Sequence, residues 1–315
     1  MFRTFCAAAA ITVFGLLALD ASAAATTVFP PGLRVGLEPT GDLIPSRRFP
    51  GFEDSEHHVA VTILELPSAA YDKIMRSAIA QNQQGLTDAK HESFIFASGV
   101  GMLVSGKARD NGIPTQRWFL VASAAAVAVP NLTALIRVDV PEAARALYPD
   151  AAVRKMLASV TFRKVPLQEL LGLLPFKLTA MAGFHVVRVS PDGVVVADDE
   201  SADRGERPYA IISIGRGAPE QVADRGRFAG DLVIRAPLRD LKLTSGESMR
   251  IGGWPGYEIR ADAVGPKGEP IALVQWLRFA GTGGGFLRIV AIAPKTEFDA
   301  VFNRFRELRD GIELK

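Results

Sequence analysis

The sequence predicts an α+β protein of two tandem domains, each a central antiparallel sheet flanked by helices. Three observations carry that expectation. First, one stretch occurs twice. Glu92-Ser93-Phe94-Ile95-Phe96-Ala97-Ser98-Gly99-Val100-Gly101 leads through an alternating run to Asn111-Gly112-Ile113-Pro114 and a run bearing Trp118. Glu247-Ser248-Met249-Arg250-Ile251-Gly252-Gly253-Trp254-Pro255-Gly256 leads in the same order to Pro266-Lys267-Gly268-Glu269-Pro270 and a run bearing Trp276. Glu92 and Glu247, Gly101 and Gly256, and Gly112 and Gly268 are each separated by about 155 residues, the mark of a tandem duplication. Second, Asn111-Gly112 is a hairpin signal, because both central residues of a type I′ turn need positive φ; strands joined so tightly must be antiparallel. Third, each copy ends on an apolar stripe at helical spacing: Val153, Met156, Leu157 and Val160, then Phe298, Val301, Phe302, Phe305 and Leu308.

Taken in order, the chain opens on a targeting pattern. Arg3 supplies a positive start, Ala7 to Leu19 are apolar, and Ala21-Ser22-Ala23 is the small-x-small pattern cut by a signal peptidase. The apolar run falls short of the roughly 20 residues of a spanning helix, and no later stretch makes up the deficit. The expected mature chain starts near Ala24, is periplasmic or secreted, and has no transmembrane segment. The one cysteine, Cys6, leaves with the leader, which excludes disulfides, thiolate metal sites and cysteine nucleophiles. A net charge of +2 is too small for a nucleic-acid footprint.

The expected divisions are a signal peptide at 1–23, a first copy at 24–164, a packed joint at 165–175 and a second copy at 176–315. Leu33 to Pro39 reads as a short strand and Val59 to Leu66 as a β-branched buried one. Ser68 is placed to cap a helix carrying Tyr71, Ile74, Met75, Ala78 and Ile79, ended by the polar run Gln81 to Asp88. Met102 to Ala108 and Thr115 to Ala122 pair across the hairpin, Asn131 to Val140 follows, and Asp150 recaps the helix after Pro149. Pro166 and Pro175 bracket a leucine-rich segment that reads as too short for an independent helix and too apolar for a free linker. In the second copy, Phe184 to Val189 and Val194 to Ala197 are strands about Pro191-Asp192-Gly193, and Asp198 to Arg207 is a charged loop. Tyr209 to Ile214 is a strand, and Pro219 to Phe228 reads as the counterpart of the first helix. Tyr257 to Ala263, Ile271 to Phe279 and Phe286 to Ala293 are the remaining strands. Thr296 with Asp299 reads as a capping box, and Gly311 ends the last helix.

Three paired local features then resemble the PsbP-like fold. They are the openings Pro31-Gly32-Leu33 and Ala182-Gly183-Phe184, the turns Gly99-Val100-Gly101 and Trp254-Pro255-Gly256, and a terminal amphipathic helix after Pro141 or Pro294. That family includes the photosystem extrinsic protein, the nuclear import factor that binds the GTPase Ran, and bacterial envelope proteins of unassigned role. The resemblance covers Leu33 to Phe162 and Phe176 to Leu314, and implies a sheet flanked by helices with a non-catalytic binding or accessory role. No residue-level match to the Ran-binding or photosystem-binding surfaces exists, so those partners do not carry over.

The candidate chemistry is sparse. Glu53, Asp54, Glu56, His57 and His58 are metal-ligand types, but adjacent histidines in a strand face opposite ways, so a solvated loop without metal is expected. His91 and His185 have no motif about them. Gly281-Thr282-Gly283-Gly284-Gly285 joins two strands, where a dinucleotide fingerprint must open a helix. No nucleophile elbow, phosphate loop or His-Glu-x-x-His occurs, and no catalytic residue or cofactor is assigned. Trp118 and Trp276 read as core. Trp254 replaces a non-aromatic turn residue of the first copy, so it and Tyr257 are the binding candidates. The interspersed acids and arginines of the second copy read as a solvated face.

The expectation is therefore an exported binding or accessory protein, its partner an unidentified small molecule or envelope protein. Its ligand would lie against a sheet face, at the joint, or at the Trp254 turn. The alternatives are a hydrolase with dispersed catalytic residues, needing a polar pocket with a histidine and a carboxylate, and an envelope protein-interaction module using an exposed apolar patch.

Overall fold

The computed structural model describes residues 26–74, 85–124, 131–199, 207–280 and 284–315. The leader, Met75, Ala78 and Ile79 lie outside the described residues. Contacts divide the chain into two units, one built on Val35–Phe162 and the other on Arg163–Lys315 with Pro31–Arg34. Each is an α+β unit around an antiparallel seven-stranded sheet. No helix among the described residues is long and apolar enough to cross a membrane.

The first unit contains β1 (Val35–Gly36), β2 (Ile44–Pro45), β3 (Gly51–Asp54), β4 (Val59–Pro67) and β5 (Thr87–Phe96). It continues through β6 (Gly99–Asp110), β7 (Ile113–Ser123), β8 (Leu132–Pro141), α1 (Asp150–Ala158) and β9 (Thr161–Phe162). Its sheet runs β2-β3-β4-β8-β7-β6-β5, and β1 pairs with β9 beside it. Residues 70–74 are helical, as expected. The Ser68 hydroxyl donates to Asn131 Oδ1 at 3.4 Å, so the expected cap on its helix is not what holds it.

The second unit opens with α2 (Leu167–Leu173), β10 (Phe176–Leu178), β11 (His185–Ser190), β12 (Gly193–Ala197) and β13 (Tyr209–Gly215). Then follow α3 (Arg225–Ile234), β14 (Arg239–Ile251), β15 (Trp254–Val264), β16 (Pro270–Phe279), β17 (Phe286–Pro294), α4 (Phe298–Asp310) and β18 (Ile312–Leu314). The strand order β11-β12-β13-β17-β16-β15-β14 repeats that of the first sheet position by position, and β10 with β18 repeats the small pair. The duplication in sequence is thus a duplication of topology.

The repeated glycines have a common cause. A Cβ on Gly101 would stand 2.3 Å from the Val121 carbonyl oxygen, and one on Gly256 would stand 2.8 Å from that of Leu277. Both sit in the second strand of a long hairpin with no room for a side chain. Asn111 and Gly112 adopt φ of 47° and 85°, the pair of positive values their turn requires.

Four expectations are corrected. The leucine-rich joint is helical: Pro166 opens α2, since a proline is tolerated at a helix start, and Leu171 and Leu174 pack on the second unit's core. The helix expected at Pro219 to Phe228 lies further on, as α3, because Phe228, Ala229, Leu232 and Val233 give the apolar face and Gly226 and Gly230 blur it. Asp150 and Thr296 make no capping bonds; their helices start after Pro149 and Glu297. Strands β3, β5 and β14 were not expected. The last two are edge strands, exposed along most of their length, so no apolar alternation marks them.

Each face of the second sheet has its own core. On one, Val194, Val196, Ile212, Trp276 and Ile289 meet Phe298, Val301, Phe305 and Leu308 of α4, with Phe305 stacked on Phe184 at 5.3 Å. On the other, Ala229 and Val233 of α3 cover Ile259, Ala261, Leu273 and Leu277.

Candidate functional site

The α3 face of the second sheet is incompletely covered. Side chains of a strand alternate between faces, so Tyr209, Ile211 and Ser213 of β13 share that face with Arg288, Val290 and Ile292 of β17 and with Ile271 and Leu273 of β16. The register sets Ile211 against Val290 and Ser213 against Arg288. The helix stops early: Arg235 caps it, and Pro237 cannot extend the hydrogen-bond ladder. Leu232 in its last turn, with Arg235, Ala236, Leu238 and Pro266 beyond its end, overhangs the uncovered strands and borders a cavity of about 350 Å³. That lies at the small end of the range for ligand sites. The lining is aliphatic for the most part, contains two arginines, and includes no carboxylate.

Arg288 is the unusual member. Its Nε donates to Gln275 Oε1 at 2.8 Å and its Nη2 to the Leu232 carbonyl at 2.9 Å. Gln275 is fully buried and donates from Nε2 to the Ala229 carbonyl at 2.9 Å. The guanidinium is therefore anchored by a neutral amide and by the last turn of α3, whose carbonyls carry partial negative charge. Among the described residues it has no ion pair, and burial pulls its pKa below the ordinary arginine value. This site was missed in the sequence, although a signal was present: Arg288 is the one charged residue in the otherwise apolar strand Phe286–Pro294.

The two expected binding residues do not come together. Trp254, first in β15, is 44% exposed, with the Arg278 guanidinium 5.9 Å from its ring centroid. Arg250 closes the turn beneath it with two bonds to the Gly253 carbonyl. Tyr257 lies three residues along the strand, hence on the opposite face. Its hydroxyl lies where a Cβ on Gly226 of α3 would be 2.9 Å away, and it lines a separate hollow with Val222, Arg225 and Met249.

The tryptophans expected in the core are there. Trp118 Nε1 donates to Asp150 Oδ1 at 3.0 Å, and Trp276 Nε1 to Glu258 Oε2 at 2.6 Å. Glu53 and Asp54 are buried in β3 rather than on a solvated loop, and each is held by neighbouring side chains. Glu53 is bound by Arg48 and Ser46, and Asp54 accepts from Tyr148 Oη at 2.6 Å and meets His57 Nδ1 at 2.7 Å. Burial raises the Asp54 pKa, but the bonds from Tyr148 and from His57 outweigh it and hold the carboxyl below its ordinary value. Burial and then Asp54 push the Tyr148 phenol up to about 12.

Two polar hollows bear on the hydrolase alternative. The one under Trp118 is lined by Lys90, Lys107 and Asp150 without a histidine, and Asp150 is paired with Arg154 at 2.7 Å. The other gathers His185, Asp198 and Arg207, with Asp198 paired to Arg304 at 2.6 Å. In the glycine run, Gly281 to Gly283 lie outside the described residues; the Ala280 N–H to Gly285 carbonyl bond closes a strand-to-strand connection there.

No protein-family model matches the chain, and neither does any curated protein. Solved structures do. The chain is similar to LpqN, involved in cell envelope biogenesis of Mycobacterium tuberculosis, at 18% identity and TM-score 0.35, over 44% of this chain and 83% of that one. It is similar to the Ran-binding protein Mog1p of Saccharomyces cerevisiae at 12% identity and TM-score 0.32, over 44% and 90%. It is similar to the cyanobacterial PsbP of Synechocystis sp. PCC 6803 at 14% identity and TM-score 0.32, over 45% and 87%. The last two are a Ran-binding protein and a PsbP, the kinds of protein the sequence resembles, and the likeness is one of fold alone.

Proposed function

We propose that the protein is an exported, periplasmic binding or accessory protein without catalytic activity, and that its second repeat holds a small ligand with an apolar body against the sheet. The observation that carries this reading is the cavity of about 350 Å³ where α3 ends short of β16 and β17, lined mainly by aliphatic side chains. Buried apolar lining with a few polar groups is the usual make-up of a ligand site. The periplasmic address rests on the leader pattern of residues 1–23.

The test is native mass spectrometry of the mature protein taken gently from its own periplasm, beside Leu273→Trp, which fills the cavity. A co-purifying small molecule on the unmodified chain, lost in the variant, supports the reading. A molecule retained by both variants, or a chain found in the cytosol with its leader intact, would sink it.

A second reading has its own observation. Trp254 is a large aromatic exposed on a turn, a residue type enriched where proteins meet. We propose it as a contact for an envelope protein partner, with Tyr257 serving the hollow on the other face. Crosslinking from position 254 in intact cells would capture that partner; a chain that stays uncrosslinked there while a control surface position crosslinks would refute the contact.

A further inference from the structure

We infer that the ligand of the sheet-face cavity is a single-chain amphiphile with a carboxylate head, its chain along the aliphatic strands and its head at Arg288 and Arg235. The inference rests on the binding reading above and deepens it.

Two arginines and no acid line the cavity. An aliphatic lining alone would select a neutral body. A guanidinium set into that lining adds a requirement for negative charge, because a cation away from water gains most from an ion that neutralises it. Arg288 spends Nε on Gln275 and Nη2 on Leu232. Its Nη1 has no protein acceptor among the described residues and remains available. Arg235, exposed just beyond the end of α3, supplies a second cation at the rim. A planar, bidentate carboxylate matches guanidinium geometry. The rest of the wall, Ile211, Leu273, Val290 and Ile292, offers only apolar contact. A charged head without a chain would leave that surface wet, and a chain without a charged head would leave Arg288 uncompensated.

Arg288 also pins α3 to the sheet, and that role alone accounts for two of its bonds. It does not account for the lack of an acid. A purely structural arginine gains from a carboxylate neighbour, and the equivalent sheet position of the first repeat has one in Asp139.

The test is isothermal titration calorimetry of the delipidated full mature chain with decanoate, decanol and decyltrimethylammonium, which share a chain length and differ in charge. Decanoate should bind at least about tenfold tighter than decanol, a difference of about 1.4 kcal/mol, and the cation should bind weakest. Arg235→Gln and Arg288→Gln should each weaken decanoate and leave decanol unchanged. The headgroup comparison on the unmodified chain stands even where Arg288→Gln fails to fold. Equal affinities for decanoate and decanol, or preference for the cation, would overturn the carboxylate inference and leave the binding reading intact. Silence from all three would overturn both.

Discussion

Trp118 stands opposite Val138 in the first repeat, and Trp276 opposite Ile289 in the second, so with the tryptophans as anchor β3, β4, β8 and β7 can be matched with β12, β13, β17 and β16 in the order of their pairing. Asp139 of the first copy then corresponds to Val290 of the second, Arg137 to Arg288, and Arg117 to Gln275. On the other face, Asp54 corresponds to Val196. The first repeat places carboxylates at both points: Asp139 between Arg117 and Arg137, and Asp54 between Tyr148 and His57. The second places valine at both. At these two matched points one topology thus holds bound carboxylates in one copy and valines in the other. The difference teaches that a matched strand position can carry a paired acid in one copy and an apolar side chain in the other without any change of fold element.

The comparison can be broken most forcefully at Asp139. Asp139→Val gives the first sheet the second's residue and leaves Arg117, whose side chain is 12% exposed, without its acid. We expect a loss of about 3 kcal/mol, the low end for breaking a buried pair because Arg137 stays half-exposed, read from urea unfolding. A loss below about 1 kcal/mol would mean that the network is ornamental.

Next comes Tyr148→Phe, which strips one bond from the buried Asp54 and should cost about 1–3 kcal/mol. It should also reshape the pH dependence. Asp54 has a depressed folded-state pKa, so its contribution is present above the ordinary carboxylate range and is lost as pH falls through that depressed value. Tyr148 has a raised one, so its contribution is complete below about 10 and disappears as pH climbs through about 12. Hydrogen exchange resolved by repeat should show both losses in the first copy, and the phenylalanine variant should lack the alkaline one.

Val290→Asp makes the reverse change, giving Arg288 the acid its counterpart has. Decanoate affinity should fall about tenfold, worth about 1.4 kcal/mol. If the cavity keeps its affinity with an aspartate beside the arginine, charge is not what selects the ligand. The smallest expected effect is Trp254→Ala. With Gly99 at the corresponding hairpin position, the indole is not demanded by the shared fold. The thermal midpoint should then reflect no more than about 0.5 kcal/mol, and a larger drop would show that Trp254 caps its sheet.

Most of the architecture was legible because the duplication fixes it twice. Gly101 and Gly256 marked the duplication and the turn of a long hairpin, Asn111-Gly112 announced a hairpin, and the aromatic stripe of Phe298 to Leu308 announced its helix. The edge strands were not legible, since β5 and β14 bury little and alternate in nothing. The cavity was not legible for a different reason. It arises from where α3 stops relative to β16 and β17, a three-dimensional mismatch that no periodicity records. Trp254 drew notice because it was rare and exposed by its turn, whereas Arg288 lay unnoticed inside an apolar strand that pattern reading treats as core.

The margins of the two sheets have a consequence for life in a crowded compartment. β5 carries Asp88, Lys90, His91 and Glu92; β14 carries Arg239, Asp240, Lys242, Glu247 and Arg250. Both are interrupted near their starts by register shifts, where Asp88 and Asp240 take φ of 57° and 51°. An open edge invites a foreign strand to add itself, and charges with bulges are how natural sheets refuse. The polarity that hid these strands from hydrophobic pattern thus discourages a second strand from pairing at these two edges.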